Sequence, residues 1–208
     1  SEIGEIPRGW EVSPLSDFIM EVGKKTKPSP DTEQHPYVPI DCISSKSLTL
    51  WGHKDGEEAK SSLVSFKKGD ILFGAMRPYF HKVCIAPFDG TTRTTCLVLS
   101  SKVRHYFGFS LLTLFLDSTI DFATQNSTGS TIPYIKWKNE LGSLTVALPP
   151  VELARQFNKL LEPILGKFLM SIEEQKVLTE LRDTLLPKLI SGELRIPDAE
   201  KFLEEAGI

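Results

Sequence analysis

Long apolar runs are missing from this chain, and no stretch approaches the roughly 18 residues that cross a bilayer, so no spanning helix and no membrane partner are expected. The opening residues, Ser1-Glu2-Ile3-Gly4-Glu5, are acidic and polar rather than leader-like, and cytoplasmic residence is the expectation. Cysteine is scarce. Cys42, Cys84 and Cys96 stand far apart with no CxxC pair, which suits neither a disulfide framework nor a zinc site and leaves ordinary, largely buried thiols. Catalytic signatures are missing as well. No GxxxxGK[ST] loop is present, which removes the motor signature of ATP-driven enzymes. His35, His53, His81 and His105 are scattered without HExxH spacing, and no Gly-x-Ser-x-Gly elbow occurs. No catalytic residue, metal or cofactor is therefore expected.

A strong charge of either sign is also lacking. The net charge of −3 divides unevenly along the chain. Residues 1–150 carry 16 Lys+Arg and 16 Asp+Glu, net zero, whereas residues 151–208 carry 8 and 11. The acidity sits in the second part. The first is neutral overall with basic clusters at Lys24-Lys25-Thr26-Lys27, Lys67-Lys68 and Lys136-Trp137-Lys138. That distribution leaves a nucleic-acid partner open without arguing for one.

What is present divides into a globular part and a helical one. In residues 1–150, short apolar runs alternate with turn residues every eight to twelve positions, the pattern of a sheet-rich domain. Expected strands are 37–40, 48–51, 70–75, 81–86, 94–100 and 144–148, with Lys67–Asp70 and Asp89-Gly90 as turns. Residues 106–116 are apolar nearly all round and read as a buried helix. Regular βαβ units are absent, so the fold class is a mixed α/β domain rather than a doubly wound sheet.

Pro149-Pro150 closes that domain, and residues 151–192 read as one long helix. Apolar residues recur mostly at steps of three and four, through Phe157, Leu161, Ile164, Phe168, Ile172, Leu178, Leu181 and Leu185. Pro163 and Gly166 predict a kink or break, Gly192 a stop, and residues 193–208 a tail whose short helix runs from Asp198 to Gly207. A stripe of this length is unstable alone in water and needs a partner helix, so those eight residues are the helix-pairing candidates. A projecting helix fits the Pro-Pro exit, with folding back on the globular part as the alternative.

Four segments, in order, resemble the specificity subunits of type I restriction–modification systems. Gly4–Val12 looks like the opening of a target-recognition domain. Gly69-Asp70-Ile71-Leu72-Phe73-Gly74-Ala75-Met76-Arg77-Pro78 is similar to its central strand motif. Gly129–Ile135 followed by Leu148-Pro149-Pro150-Val151-Glu152 resembles the junction to the helix, and Leu181–Arg195 the end of that helix. Such subunits typically hold two recognition domains and two helices, and this chain has one of each. The resemblance implies a subunit that binds double-stranded DNA, reads half of a split target, and works with modification (methyltransferase) subunits and a restriction subunit. Pairing through antiparallel long helices, in a homodimer or with a second recognition half, would complete the target. The chain has no Asn/Asp-Pro-Pro-aromatic tetrad, so the adenine methyltransferase signature itself is absent.

Phosphate contacts fall to lysines and arginines, and base reading to side chains that reach groove edges. The candidates are Lys46, Arg77, Tyr79, His81, Lys82 and Arg93 around the central strands. The hydroxyl-rich turn Ser127, Thr128, Gly129, Ser130 and Thr131 follows, with backbone N–H groups able to cradle a phosphate, and then Tyr134, Lys136 and Lys138. Arg77 has a competing reading, an ion pair that holds the strand end. Two alternatives stay open for the whole chain. One is a protein-binding scaffold whose helix is the function. The other is a metal-dependent nuclease built on Asp31 with Glu58-Ala59-Lys60, although neither segment reads as the strand pair that chemistry needs.

Overall fold

The computed structural model describes residues 4–194, without the side chains of 173 and 176. The short final helix expected between Asp198 and Gly207 lies outside the described residues, as do residues 1–3 and Arg195. In chain order the elements are β1 (Glu11–Pro14), α1 (Leu15–Phe18), β2 (Ile19–Glu21), β3 (Lys24–Thr26), α2 (Pro30–Glu33), β4 (Tyr37–Val38), β5 (Leu63–Phe66), β6 (Ile71–Gly74), β7 (Val83–Ile85), β8 (Gly90–Arg93), β9 (Cys96–Ser101), α3 (Phe107–Phe115), α4 (Asp117–Gln125), β10 (Thr145–Leu148) and α5 (Val151–Ile190). The fold is a mixed α/β domain followed by a long helix. It divides into two compact units, Ser1–Leu165 and Gly166–Ile208.

In the first unit, two four-stranded sheets, β2-β9-β6-β7 and β3-β5-β8-β4, share a core, and β1 pairs with β10 apart from them. The register of β6 explains the core. Leu72 lies opposite Val98 and Cys84, while Ile71 and Phe73 lie opposite Leu99 and Leu97 on β9. Leu72, Cys84 and Val98 join Val38, Ile43, Leu50, Val64 and Phe66 in one buried cluster. The alternate residues Ile71, Phe73, Leu97 and Leu99 are buried too. Both faces of β6 are thus covered, and its sequence reads as a continuous apolar run rather than an alternation. Each fully buried Leu, Ile or Phe here contributes about 1.5–3 kcal/mol. The thiols are free, and burial pushes Cys84 upward and Cys96 up to about 11.

Two sequence expectations differ from the structure. Residues 48–51 form no ladder: the Ser47 hydroxyl accepts from the Thr49 N–H, and that local bond competes with strand pairing. Leu50 still anchors the segment in the core. The expected break at Pro163 and Gly166 is also absent, because α5 is continuous through both and through Pro187. Proline at 163 removes one N–H donor, and the Lys159 carbonyl it leaves lies on an exposed residue where water can serve it.

Strand β10 ends at Leu148 and the first helical N–H, of Ala154, donates to Pro150 O at 3.0 Å. Within the first unit the opening turns of α5 are tied to α3 and the turn before it: Asn158 Oδ1 accepts from the Gly108 N–H at 2.9 Å, and Arg104 pairs with Glu162 at 2.6 Å. Leu161 packs over Gly108. In the second unit, Phe168, Ile172, Leu181 and Leu185 are half-exposed, while Met170, Leu178 and Ile190 are exposed. The helix ends at Ile190, and Gly192 takes φ +74°, the left-handed conformation that suits glycine past a helix end. No single helix among the described residues is long and apolar enough to cross a membrane.

Candidate nucleic-acid interface

The site begins where β6 leaves the core. Beyond Gly74, the N–H groups of Ala75 and Met76 both donate to Thr95 O, and Ala75 O accepts from the Ile135 N–H at 3.0 Å. The Arg77 N–H donates to Pro133 O at 2.7 Å. A small hairpin is thereby sewn to the strand end. It is closed by Thr128 and Tyr134, whose backbones exchange two bonds of 2.9 Å. At its tip Gly129 takes φ +100°, and a Cβ there would lie 2.9 Å from Ile132 O, so the tight return requires glycine. The Ser127 and Thr128 hydroxyls are turned to the backbone, on Thr124 O and Tyr134 O. The N–H groups of Gly129, Ser130 and Thr131 have no acceptor among the described residues and lie on exposed positions.

The second part is the turn from Arg77 to His81. Arg77 and His81, neither of them glycine, both take left-handed backbone, at φ +52° and +50°, around the 3-10 turn Pro78–Phe80. Each such residue costs on the order of 1–3 kcal/mol unless its surroundings hold it there. Here they do. Ser45 Oγ donates to Phe80 O at 2.5 Å, the Lys46 N–H to His81 O at 2.9 Å, and His81 Nε2 to Phe115 O at 2.9 Å. His81 is only 4% exposed. Its Nδ1 lies 3.2 Å from Asp117 Oδ1, outside hydrogen-bond angles but within ion-pair reach. The same Oδ1 accepts from Lys46 Nζ at 3.0 Å. That hydrogen bond and the lysine charge, with His81 adding to them, hold the Asp117 carboxyl below the usual carboxylate range.

These bonds sort the sequence candidates. Lys46 and His81 are struts of the turn: one has its ammonium on Asp117, and the other is buried. Lys82 Nζ donates to Ile40 O at 2.8 Å, and Tyr134 hydroxyl to Thr94 O at 2.9 Å, so both polar ends have backbone partners. Arg77 makes no ion pair among the described residues, unlike the strand-end brace that was its competing reading. Its Nε is buried without a hydrogen-bond partner, and it lines a hollow of about 330 Å³ with Ile40, Asp41, Met76, Phe80 and Lys82. Tyr79 and Phe80 stand outward at 50% and 46% exposure, their rings 4.8 Å apart. Arg93, at the end of β8, and Lys138 are exposed and lack ion pairs among the described residues. Lys136 has Glu140 at 3.9 Å, and Trp137 beside it is buried.

The turn, the hairpin and Arg77 thus form one assembly, and Arg93 lies beside it, next to Thr94 and Thr95, whose carbonyls accept from Tyr134 and from Ala75 and Met76. Sequence reasoning missed Phe80, Ser45 and Asp117. Phe80 carried a signal, as half of an aromatic pair that follows Arg-Pro. The other two act through contacts 35 and 36 residues away along the chain, which no local pattern reveals.

Other constellations give no chemistry. Asp31 lies in α2 and Glu58 in a 3-10 turn, paired with Lys54 at 3.3 Å, so the nuclease-like triad has no strand pair to stand on. Among the described residues no group of three or more His, Cys, Asp or Glu could hold a metal ion. Two of the helix-pairing candidates face the chain's own domain: Leu161 over Gly108, and Phe157 in an apolar hollow with Trp10, Phe109, Pro149, Leu153 and Ala154.

Residues 7–181 match the family model described as the type I restriction modification DNA specificity domain. The chain is similar to the type I restriction enzyme MjaIX specificity subunit of Methanocaldococcus jannaschii, 28% identical over 93% of this chain and 46% of that protein. Among solved structures it is similar in fold to the HsdS subunit from Thermoanaerobacter tengcongensis (TM-score 0.56, 18% identity, 93% of this chain and 51% of that one). It is likewise similar to a chain from a structure concerned with complex assembly and conformational transition of the type I R-M system (TM-score 0.63, 20% identity, 93% and 51%). The chain spans about half the length of the curated relatives it matches.

Proposed function

The chain belongs to the type I restriction modification DNA specificity family, and on that premise we propose that it binds double-stranded DNA and reads one half of a split target. One observation carries the reading. Among the described residues, an arginine with no ion pair is held at the end of the central strand, in a strained backbone conformation and with one buried nitrogen unserved, beside a hairpin tip whose N–H groups have no acceptor. A fold tolerates such an arrangement when its surroundings enforce it, and such strain concentrates at binding sites. Arg77 supplies a forked donor for a guanine edge. The Gly129–Thr131 N–H groups, with Ser130 and Thr131 hydroxyls, take a phosphate, and Arg93 and Lys138 add phosphate contacts. Lys46, His81, Lys82, Tyr134 and the Ser127 and Thr128 hydroxyls contribute by holding those groups in place. Lys136 adds a weaker contact because Glu140 shares its charge.

A single recognition domain reads a single half-site. The second comes from another copy or another half, joined through the exposed apolar residues of 164–190, antiparallel in the reading favoured here. Those 27 residues rise roughly 40 Å at 1.5 Å per residue, close to the 34–36 Å of one DNA turn, so the helix would set half-site spacing. The assembled subunit would then position modification and restriction subunits on the target.

The test has two arms. Fluorescence anisotropy with random-sequence duplexes should show binding that falls steeply as salt rises, since each neutralised phosphate releases counterions. Methylome sequencing of cells with and without the chain should show a split adenine motif that depends on it. A salt-insensitive signal in the first arm, or an unchanged methylome, overturns the proposal.

A further inference from the structure

We propose that Tyr79 and Phe80 form an aromatic wedge that enters the base stack at one step of the bound duplex, so that part of the target is read through how readily that step unstacks. The inference rests on the DNA-binding reading above and goes beyond it, since it concerns deformation of the DNA rather than contact with base edges. Neighbouring aromatic side chains seldom both stand outside a folded domain, because their apolar faces favour burial. Here both stand half out in water, against each other, with ring centroids 4.8 Å apart and planes tilted by 53°.

The pair is also rigid. Its backbone is fixed at both ends by left-handed residues, and Phe80 itself is held twice, its N–H on Arg77 O at 3.0 Å and its carbonyl under the Ser45 hydroxyl. A rigid apolar projection beside a base-reading arginine suits a wedge: the fork on a guanine fixes the register while the ring replaces part of a stacking contact. A protein-docking patch fits less well, because two rings beside Arg77 and Lys82 offer far less apolar area than a stable protein interface needs. Flexible pyrimidine–purine steps unstack most easily, so the step opposite Phe80 should be TA or CA/TG.

The experiment uses the full chain and random-sequence duplexes several turns long at low salt. Bound complexes are treated with permanganate, which oxidises unstacked thymines, and with diethyl pyrocarbonate, which modifies unstacked purines; the reactive positions are read by sequencing. Wild type should give one hyper-reactive step at a fixed distance from the bound motif. Phe80→Ala should erase it and weaken binding by about 5- to 150-fold, the range of one lost base–aromatic stack. Phe80→Leu should keep most of the reactivity, since leucine also serves as a wedge. Both variants alter a half-exposed side chain, and circular dichroism confirms their fold. Wild-type complexes without a reactive step, or reactivity that survives Phe80→Ala, overturn the wedge and leave DNA binding intact. Absence of duplex binding by wild type overturns the DNA-binding reading, and the wedge with it.

Discussion

Replacing Arg77 by glycine separates what its backbone does from what its guanidinium does. At φ +52° an arginine backbone costs about 1–2 kcal/mol that glycine does not incur. Its buried, unserved Nε adds a desolvation penalty of about 1–3 kcal/mol. Against these stand the lost packing of the arginine stem against Ile40, Met76 and Phe80, about 0.8 kcal/mol per buried methylene, and about 0.5–1 kcal/mol of extra glycine entropy in the unfolded chain. The opposing amounts nearly cancel, so Arg77→Gly should leave stability within about 1 kcal/mol of wild type, a Tm change of about 2–4 °C for a domain of this size. Arg77→Ala keeps the backbone penalty and should be less stable than Arg77→Gly by about 1 kcal/mol. Both variants lose the same fork, so both should weaken duplex binding equally, by about 1–3 kcal/mol, and relax the same target position. Arg77→Lys should retain affinity better than base preference, because a point charge attracts phosphate but cannot fork onto a guanine. Urea denaturation and anisotropy against a randomised duplex pool read the two quantities separately. A stability loss above about 2 kcal/mol in Arg77→Gly with unchanged base preference would refute the reasoning and make Arg77 a strut.

Three further outcomes follow from the same geometry. Gly129→Ala forces a Cβ against Ile132 O and a strained φ, so binding should weaken on every sequence alike while the melting of the core hardly moves; a change in base preference would mean that the tip reads bases. Lys138→Ala should lower the slope of log affinity against log salt by about one unit, and Lys136→Ala by clearly less because Glu140 already shares its charge; equal slopes would count against that ordering. The Asp117 carboxyl is held below the usual range by Lys46 and then His81, so its clamp should be intact above roughly pH 4 and be lost as pH falls through the lowered folded value. Carboxyl and His81 ring shifts followed by NMR check this, and Asp117→Asn should abolish the dependence at Asp117; a clamp that loosens only above neutral pH would contradict the assignment.

The legible parts of the fold were those where chemistry is local. Ile71-Leu72-Phe73 could be read as a strand because both its faces are buried, and α3 because its apolar residues wrap all round. Strand β8 could not, since Gly-Thr-Thr-Arg carries no apolar residue; Thr92 earns its buried place by donating to Val38 O across the sheet. Strand β3 read as a basic cluster because it is a sheet edge, where lysines discourage further pairing. At the site, Arg77, Tyr79 and the Ser127–Thr131 turn stood out by residue type. Their arrangement did not, because it depends on Pro133 O, Ser45 Oγ and Asp117, which meet the strand end only in the folded chain.

Both the strained turn and its clamps bear on how one scaffold can read different targets. The groups proposed to read the target sit on the 77–81 turn, and those that would take a phosphate at its side on the 128–134 hairpin; neither segment lies within the core strands. Their positions are set from behind, by backbone bonds to Thr95, Ala75 and Pro133 and by the Ser45, Lys46 and Asp117 side chains. Backbone bonds do not depend on side-chain identity, so residues 79, 80, 130 and 131 can change with little effect on the strand end beneath them. A rigid presentation also limits the ordering entropy that a mobile loop would lose on binding. Specificity can then vary at a few outward side chains while the buried struts stay fixed. Substitutions at Ser45, His81 or Ser130 should therefore weaken binding to all sequences, whereas substitutions at Tyr79 or Phe80 should change which sequence is preferred.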